Sequence, residues 1–177
     1  MAKFWNFVLF QAGWFACVIG AAHGQSFWPV LATMAYLGFY VWRSSSPIFE
    51  FKLLIKAALL GVSADTLIVN LGYLSFNDSW FGPHIAPVWM WVLWALVAST
   101  INQSLSWLKG RTLLGIVLGA ITGPLSYEAG VRLGAGAWVP GYEVIGFILI
   151  GLIWAAAIPL LFYWADAPIK QQLEQNL

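Results

Sequence analysis

Asp65 is the residue whose position in this sequence most invites chemistry. It closes the string Gly61-Val-Ser-Ala-Asp65 inside a long apolar run, and no lysine or arginine falls at the same depth of a neighbouring run. A carboxylate so placed is either protonated or met by a flexible partner or a bound ligand, because an isolated charge away from water is costly. Asn70 adds an amide further along the same run. A second group is Gly123-Pro124-Leu-Ser126-Tyr127-Glu128, with Arg132 one helical turn after the acid, the favourable order for an intrahelical ion pair. Uncharged polar groups crowd Ser99-Thr100-Ile-Asn102-Gln103-Ser104, and Gln11 stands alone near the start. These residues suit three kinds of work. They can hydrogen-bond a ligand in an apolar pocket or bond helices to one another. They can also do acid–base catalysis, with Asp65 or Glu128 as the base and Tyr127 as proton donor.

Other chemistries find no support in the spacing. No nucleophile-elbow pattern surrounds a serine. His23 and His84, with Asp78 and Glu143, lack the spacing that brings ligands to one metal, so we expect no metal site and no cofactor. The single cysteine, Cys17, excludes internal disulfides and thiolate zinc clusters. An acid without a nucleophile, metal triad or cofactor motif makes an enzyme the lesser expectation.

The elements that must position these groups are hydrophobic. With 61% hydrophobic and 8% charged residues, the chain lacks the polar surface of a soluble domain, of which about a quarter is charged. The net charge of +1 supplies no basic face, so no nucleic-acid partner is expected. A membrane helix needs about 20 residues, and we read spans at Phe4–Ala22, Phe27–Trp42, Phe51–Leu74, Pro87–Leu108, Thr112–Leu133 and Tyr142–Trp164. The start, MAKFWNFVLF, resembles a signal peptide but lacks a convincing cleavage site, and we read it as a retained first helix.

Lys3, Arg43, Lys52, Lys56, Lys109, Arg111 and Lys170 all fall in connections on one side of these spans, leaving Arg132 alone on the other. Cationic loops stay cytoplasmic. The expected fold class is therefore all-α, a polytopic membrane bundle of six transmembrane helices with both termini cytoplasmic, in an inner membrane. Residues 1–165 form the transmembrane domain and 166–177 a short polar cytoplasmic tail.

Within the fifth span Gly115, Gly119 and Gly123 recur every four residues and leave bare backbone for another helix to approach. Pro124 removes a backbone donor and frees the Ala120 carbonyl. Of the twelve tryptophans, eight sit near expected membrane interfaces, where the ring is favoured. Trp14, Trp94 and Trp154 lie deeper and suit pocket walls. We expect a cavity lined by spans three, four and five. Asp65, Asn70, Asn102, Tyr127 and Glu128 would be its polar contacts, Trp94 a wall, and Gly123, Pro124 and Arg132 structural supports.

Several strings together resemble a known family: Phe10-Gln11-Ala-Gly13-Trp14-Phe-Ala16-Cys17, Pro87-Val-Trp89-Met90, Asn102-Gln-Ser104-Leu, and Gly123-Pro124-Leu-Ser-Tyr127-Glu128-Ala-Gly130-Val-Arg132-Leu-Gly134. The resemblance is to small bacterial inner-membrane proteins of about six helices grouped as a domain of unknown function. It covers nearly the whole chain and implies a Gram-negative source and an association with lipid modification, but no substrate or catalytic residue. We expect the protein to bind a small hydrophobic or lipid-like molecule within the membrane, with membrane lipid around it. The alternatives are a small transporter, or a transporter's substrate-binding subunit paired with a second membrane protein, and an intramembrane lipid-modifying enzyme. A homo-oligomer is a further expected form.

Overall fold

In a computed structural model the backbone is described for residues 2–175 and the side chains for residues 3–166. Six α-helices are found among them: α1 (Ala2–Ala22), α2 (Phe27–Arg43), α3 (Pro47–Asn70), α4 (Val88–Ile101), α5 (Thr112–Arg132) and α6 (Glu143–Gln175). Two short strands, β1 (Leu74–Phe76) and β2 (Gly136–Trp138), and a 3-10 turn at Ser106–Leu108 complete the order. Four helical stretches are long and apolar enough to cross a membrane: Lys3–Ala22, Pro47–Asn70, Thr112–Arg132 and Glu143–Asp166. At 17 and 14 residues, α2 and α4 are shorter. Helix α6 carries the backbone through the tail to Gln175. The expected solvation of 166–177 rests on side chains that, after Asp166, lie outside the described residues, as does Lys170.

Both ends of the third span and the far end of the fourth differ from the sequence reading, each for a local reason. The third helix starts at Pro47 rather than Phe51, with the proline in the first turn, where no N–H is required. It ends before Leu74 because Gly72 takes a left-handed conformation (φ 74°), while the amides of Gly72 and Tyr73 bond back to Val69 and Ile68, a glycine stop. The fourth helix was expected to reach Leu108 but ends at Ile101. Its polar run competes for the backbone: Ser99 and Thr100 hydroxyls donate to the carbonyls of Leu96 and Val97. The Ser104 amide donates instead to the Asn6 side chain.

The strands were not foreseen. β1 and β2 pair antiparallel, Leu74 opposite Trp138 and Phe76 opposite Gly136, which ties the connection after α3 to the one after α5. A side chain at Gly136 would stand 2.4 Å from the Ser75 carbonyl, so only glycine permits this pairing. At the same end the Asp78 carboxylate accepts the Ser26 amide at 2.7 Å, at the head of α2.

The centre of the bundle is a stack crossing four helices. The rings of Trp94 (α4) and Trp154 (α6) lie 4.3 Å apart and nearly parallel. Gly61 of α3 faces the outer side of one ring, and Gly123 of α5 faces the other. A Cβ at either glycine would fall 2.0 Å or 2.3 Å from ring carbons. The bare face of α5 continues against α6 at Gly119, under the Trp154 backbone, and at Gly115, near Ile158. The Ala120 carbonyl, freed by Pro124, is approached closely by Gly151 of α6. In lipid, helices associate through close van der Waals contact rather than by expelling water, and the glycines make that contact.

This stack sets a prediction. Gly61→Ala forces a methyl into the Trp94 ring and is expected to lower stability by about 3 kcal/mol or more, read as thermal unfolding in detergent. Gly130→Ala, where a Cβ meets nothing within 4 Å, should hold stability or raise it by about 1 kcal/mol. Equal melting temperatures for the two variants would contradict the packing described.

Candidate functional site

Asp65 is completely buried, one turn beyond Gly61 on α3, so it sits beside the ring stack. The Trp94 indole N–H donates to one carboxylate oxygen at 2.9 Å, and the Tyr127 hydroxyl donates to the other at 2.5 Å. Tyr127 stands one turn beyond Gly123 on α5, so the two helices present the same arrangement: a glycine under an indole ring, then a polar side chain at its edge. The Trp154 N–H is buried and has no hydrogen-bond partner. No cation is in the cluster; the ion pairs found among the described residues are Lys109–Asp166 and Glu128–Arg132. Two neutral donors therefore take the role that a positive charge would fill.

Tyr127 also faces a cavity of about 450 Å³. That volume falls in the usual range for small-molecule pockets. The walls come from α1, α4, α5 and α6 and are closed at one end by Leu74, Phe76 and Gly136. This corrects the expected lining. Helix α3 supplies no residue to the wall, because Tyr127 and Trp94 lie between Asp65 and the space. Helix α1 supplies Phe7, Phe10, Gln11, Trp14 and Phe15 in its place. Helices α1 and α5 face each other across the opening with almost no direct packing, and the Trp14 N–H bridges them by donating to Ser126 Oγ at 3.1 Å.

Of the residues expected as ligand contacts, Asp65, Asn70, Trp94, Asn102, Tyr127 and Glu128, the structure brings together Asp65, Trp94 and Tyr127. The others lie elsewhere. The Asn70 amide donates to the carbonyls of Thr66 and His84 and pins the loop before α4. Glu128 accepts from Arg132 at 2.6 Å and from the Trp138 indole at 2.8 Å, so the expected ion pair also anchors β2. Asn102 donates at 3.0 Å to Glu50, at the opposite end of the bundle. Glu50 was missed in the sequence. It is 6% exposed and also accepts the Tyr40 hydroxyl at 2.8 Å. The signal for it was Ser46-Pro47: a helix begun there places Glu50 in the first turn, where an acid is favoured. Asn6 was missed as well. Buried on α1, it donates to the Tyr36 hydroxyl and the Ser99 carbonyl and accepts from Ser104.

Among the described residues, no three side chains of histidine, cysteine, aspartate or glutamate come together to hold a metal. The family model described as a protein of unknown function (DUF2878) matches residues 3–160. The chain belongs to that family. No curated protein and no solved structure matches it. The matched region takes in every residue of the carboxylate cluster and of the cavity lining.

The cluster predicts coupled losses. Asp65→Ala leaves two buried donors unpaired, at about 1–3 kcal/mol each, and Tyr127→Phe leaves one carboxylate oxygen without its donor at a similar cost. A double-mutant cycle on the pair should show coupling of at least about 1 kcal/mol. Simple additivity in that cycle would mean that the hydrogen bond does not hold α3 to α5.

Proposed function

We propose that this protein is a six-span protein of a bacterial inner membrane that binds a small hydrophobic or lipid-like molecule in the cavity between α1, α4, α5 and α6. The observation that carries the reading is the cavity itself. Its volume suits a ligand, its walls are aromatic and aliphatic, and it stands open between two helices that barely touch. Most binding pockets are largely apolar with a few placed polar groups, and here the Tyr127 hydroxyl and the Gln11 amide are such groups.

The second reading is an intramembrane enzyme acting on lipid. It is favoured by the Tyr127 hydroxyl, which lines the cavity while bonded to a buried carboxylate, an arrangement suited to a proton donor. Lipid profiling of a deletion strain separates the two: an enzyme leaves a missing product or an accumulated precursor, and a binding protein leaves neither.

Short helices α2 and α4 count as spans in this proposal, since Lys3 with Ser106, Glu50 with Tyr40 and Asn102, and Lys109 with Asp166 gather at one end the starts of α1 and α3 and the ends of α2, α4 and the apolar stretch of α6, while the connections after α1, α3 and α5 meet at the other. The distribution of lysine and arginine supports placing both termini in the cytoplasm. Reporter fusions after Gly82 and after Gln175 should then give periplasmic and cytoplasmic signals respectively, and the same side for both would end the six-span reading.

Occupancy is tested by filling the space. Gly130 lines the cavity with room for a side chain, so Gly130→Leu should fold normally while displacing the ligand. Native mass spectrometry of wild-type protein released from detergent should show a bound small molecule that the variant lacks. A wild-type protein with no adduct, or a variant that retains it, counts against the proposal.

A further inference from the structure

The chemistry of the cavity wall narrows what it can hold. None of its lining residues among those described is aspartate, glutamate, lysine, arginine or histidine. Most of its polar side chains are already committed: Thr100 and Thr122 donate to backbone carbonyls of their own helices, and Ser104 donates to Asn6. Ser126 accepts from Trp14 and keeps its own O–H, and Tyr127 donates its hydroxyl hydrogen bond to Asp65, which leaves its oxygen free only to accept. Gln11 differs. Its amide lines the cavity half-buried and makes no hydrogen bond among the described residues, so it offers a donor and an acceptor at the same place.

We propose that the ligand is an uncharged single-chain amphiphile, of the chemical class of a long-chain alcohol. Its polar group is held by the Gln11 amide, and it enters sideways from the bilayer between α1 and α5. A hydroxyl both gives and accepts a hydrogen bond and so matches a primary amide. An ionised headgroup in this wall would meet no opposite charge and would be disfavoured by the loss of water. The apolar chain replaces lipid contacts with those of Phe7, Phe10 and Phe15. Entry through the gap between α1 and α5 disturbs one side-chain link, the Trp14–Ser126 bond, and almost no helix packing. The inference rests on the cavity-binding reading above.

The test is photolabelling of the intact protein in phosphatidylcholine nanodiscs. The probes are a diazirine-bearing long-chain alcohol and the carboxylate of the same chain, at a pH where the acid is ionised. The alcohol should label peptides of α1 and α5 saturably, at least tenfold more than the carboxylate. Gln11→Leu should weaken that labelling about tenfold, as for loss of one net hydrogen bond. Trp14→Phe should speed it without changing its final extent. Gly130→Leu, checked by its melting temperature, should abolish it. Equal or stronger labelling by the carboxylate, or no effect of Gln11→Leu, overturns the neutral-ligand inference and leaves the cavity reading standing. An unchanged time course for Trp14→Phe overturns the route. Failure of both probes to label the wild type saturably at the cavity, or labelling that survives Gly130→Leu, overturns the cavity reading itself.

Discussion

A fully buried carboxylate with no cation beside it constrains this bundle more than any other group. Asp65 has to be met by donors; the nearby Ser63 hydroxyl of α3 donates to its own helix backbone, and α4 and α5 supply the donors through Trp94 and Tyr127. Turning the Trp94 N–H toward Asp65 fixes the plane of its ring. That plane then determines where Trp154 can stack, and the stacked pair requires glycine on both outer sides. One polar demand therefore orders four helices. Because hydrophobic expulsion adds little between helices in lipid, such directional bonds and close ring contacts are the forces available to set the arrangement.

The two ends of the bundle are closed by different means. At the end bearing Lys3 and Lys109, buried polar side chains link helices directly: Glu50 with Tyr40 and Asn102, and Asn6 with Tyr36 and Ser104. At the other end, backbone pairing does the work, with β1 and β2 joined and Glu128 holding the Trp138 indole. Both solutions obey the same rule, that polar groups removed from water are paired. The short α4 follows from the first. It gives up its final turns so that the groups after Ile101 can serve Asn6 and Glu50.

The cavity is the counterpart of this tight packing. Helices α3, α4, α5 and α6 crowd about the ring stack, whereas α1 packs on α2 and α4 and stands off from α5. Space is left on the α1 side of the stack, and Tyr127 forms the partition between that space and Asp65. The hydroxyl that satisfies the buried carboxylate is therefore also a polar feature of the cavity wall.

Much of this was legible in the residues themselves. Apolar runs and the one-sided cations marked the helices, because the length and the absence of charge are local properties of the chain. The glycine repeat in α5 announced a closely approached face, and Glu128 and Arg132 announced their ion pair, because neighbours on a helix are fixed by its pitch. Asp65 was recognisable as a group in need of partners, but not which partners. Its bonds to Trp94 and Tyr127 join residues far apart in sequence, as do Glu50 with Asn102 and β1 with β2. The replacement of α3 by α1 in the cavity wall belongs to the same class of fact. Composition and periodicity report which face of a helix is polar or small, but not which neighbour that face meets. Only the mutual rotation of the helices, set here by the carboxylate and the ring stack, decided that.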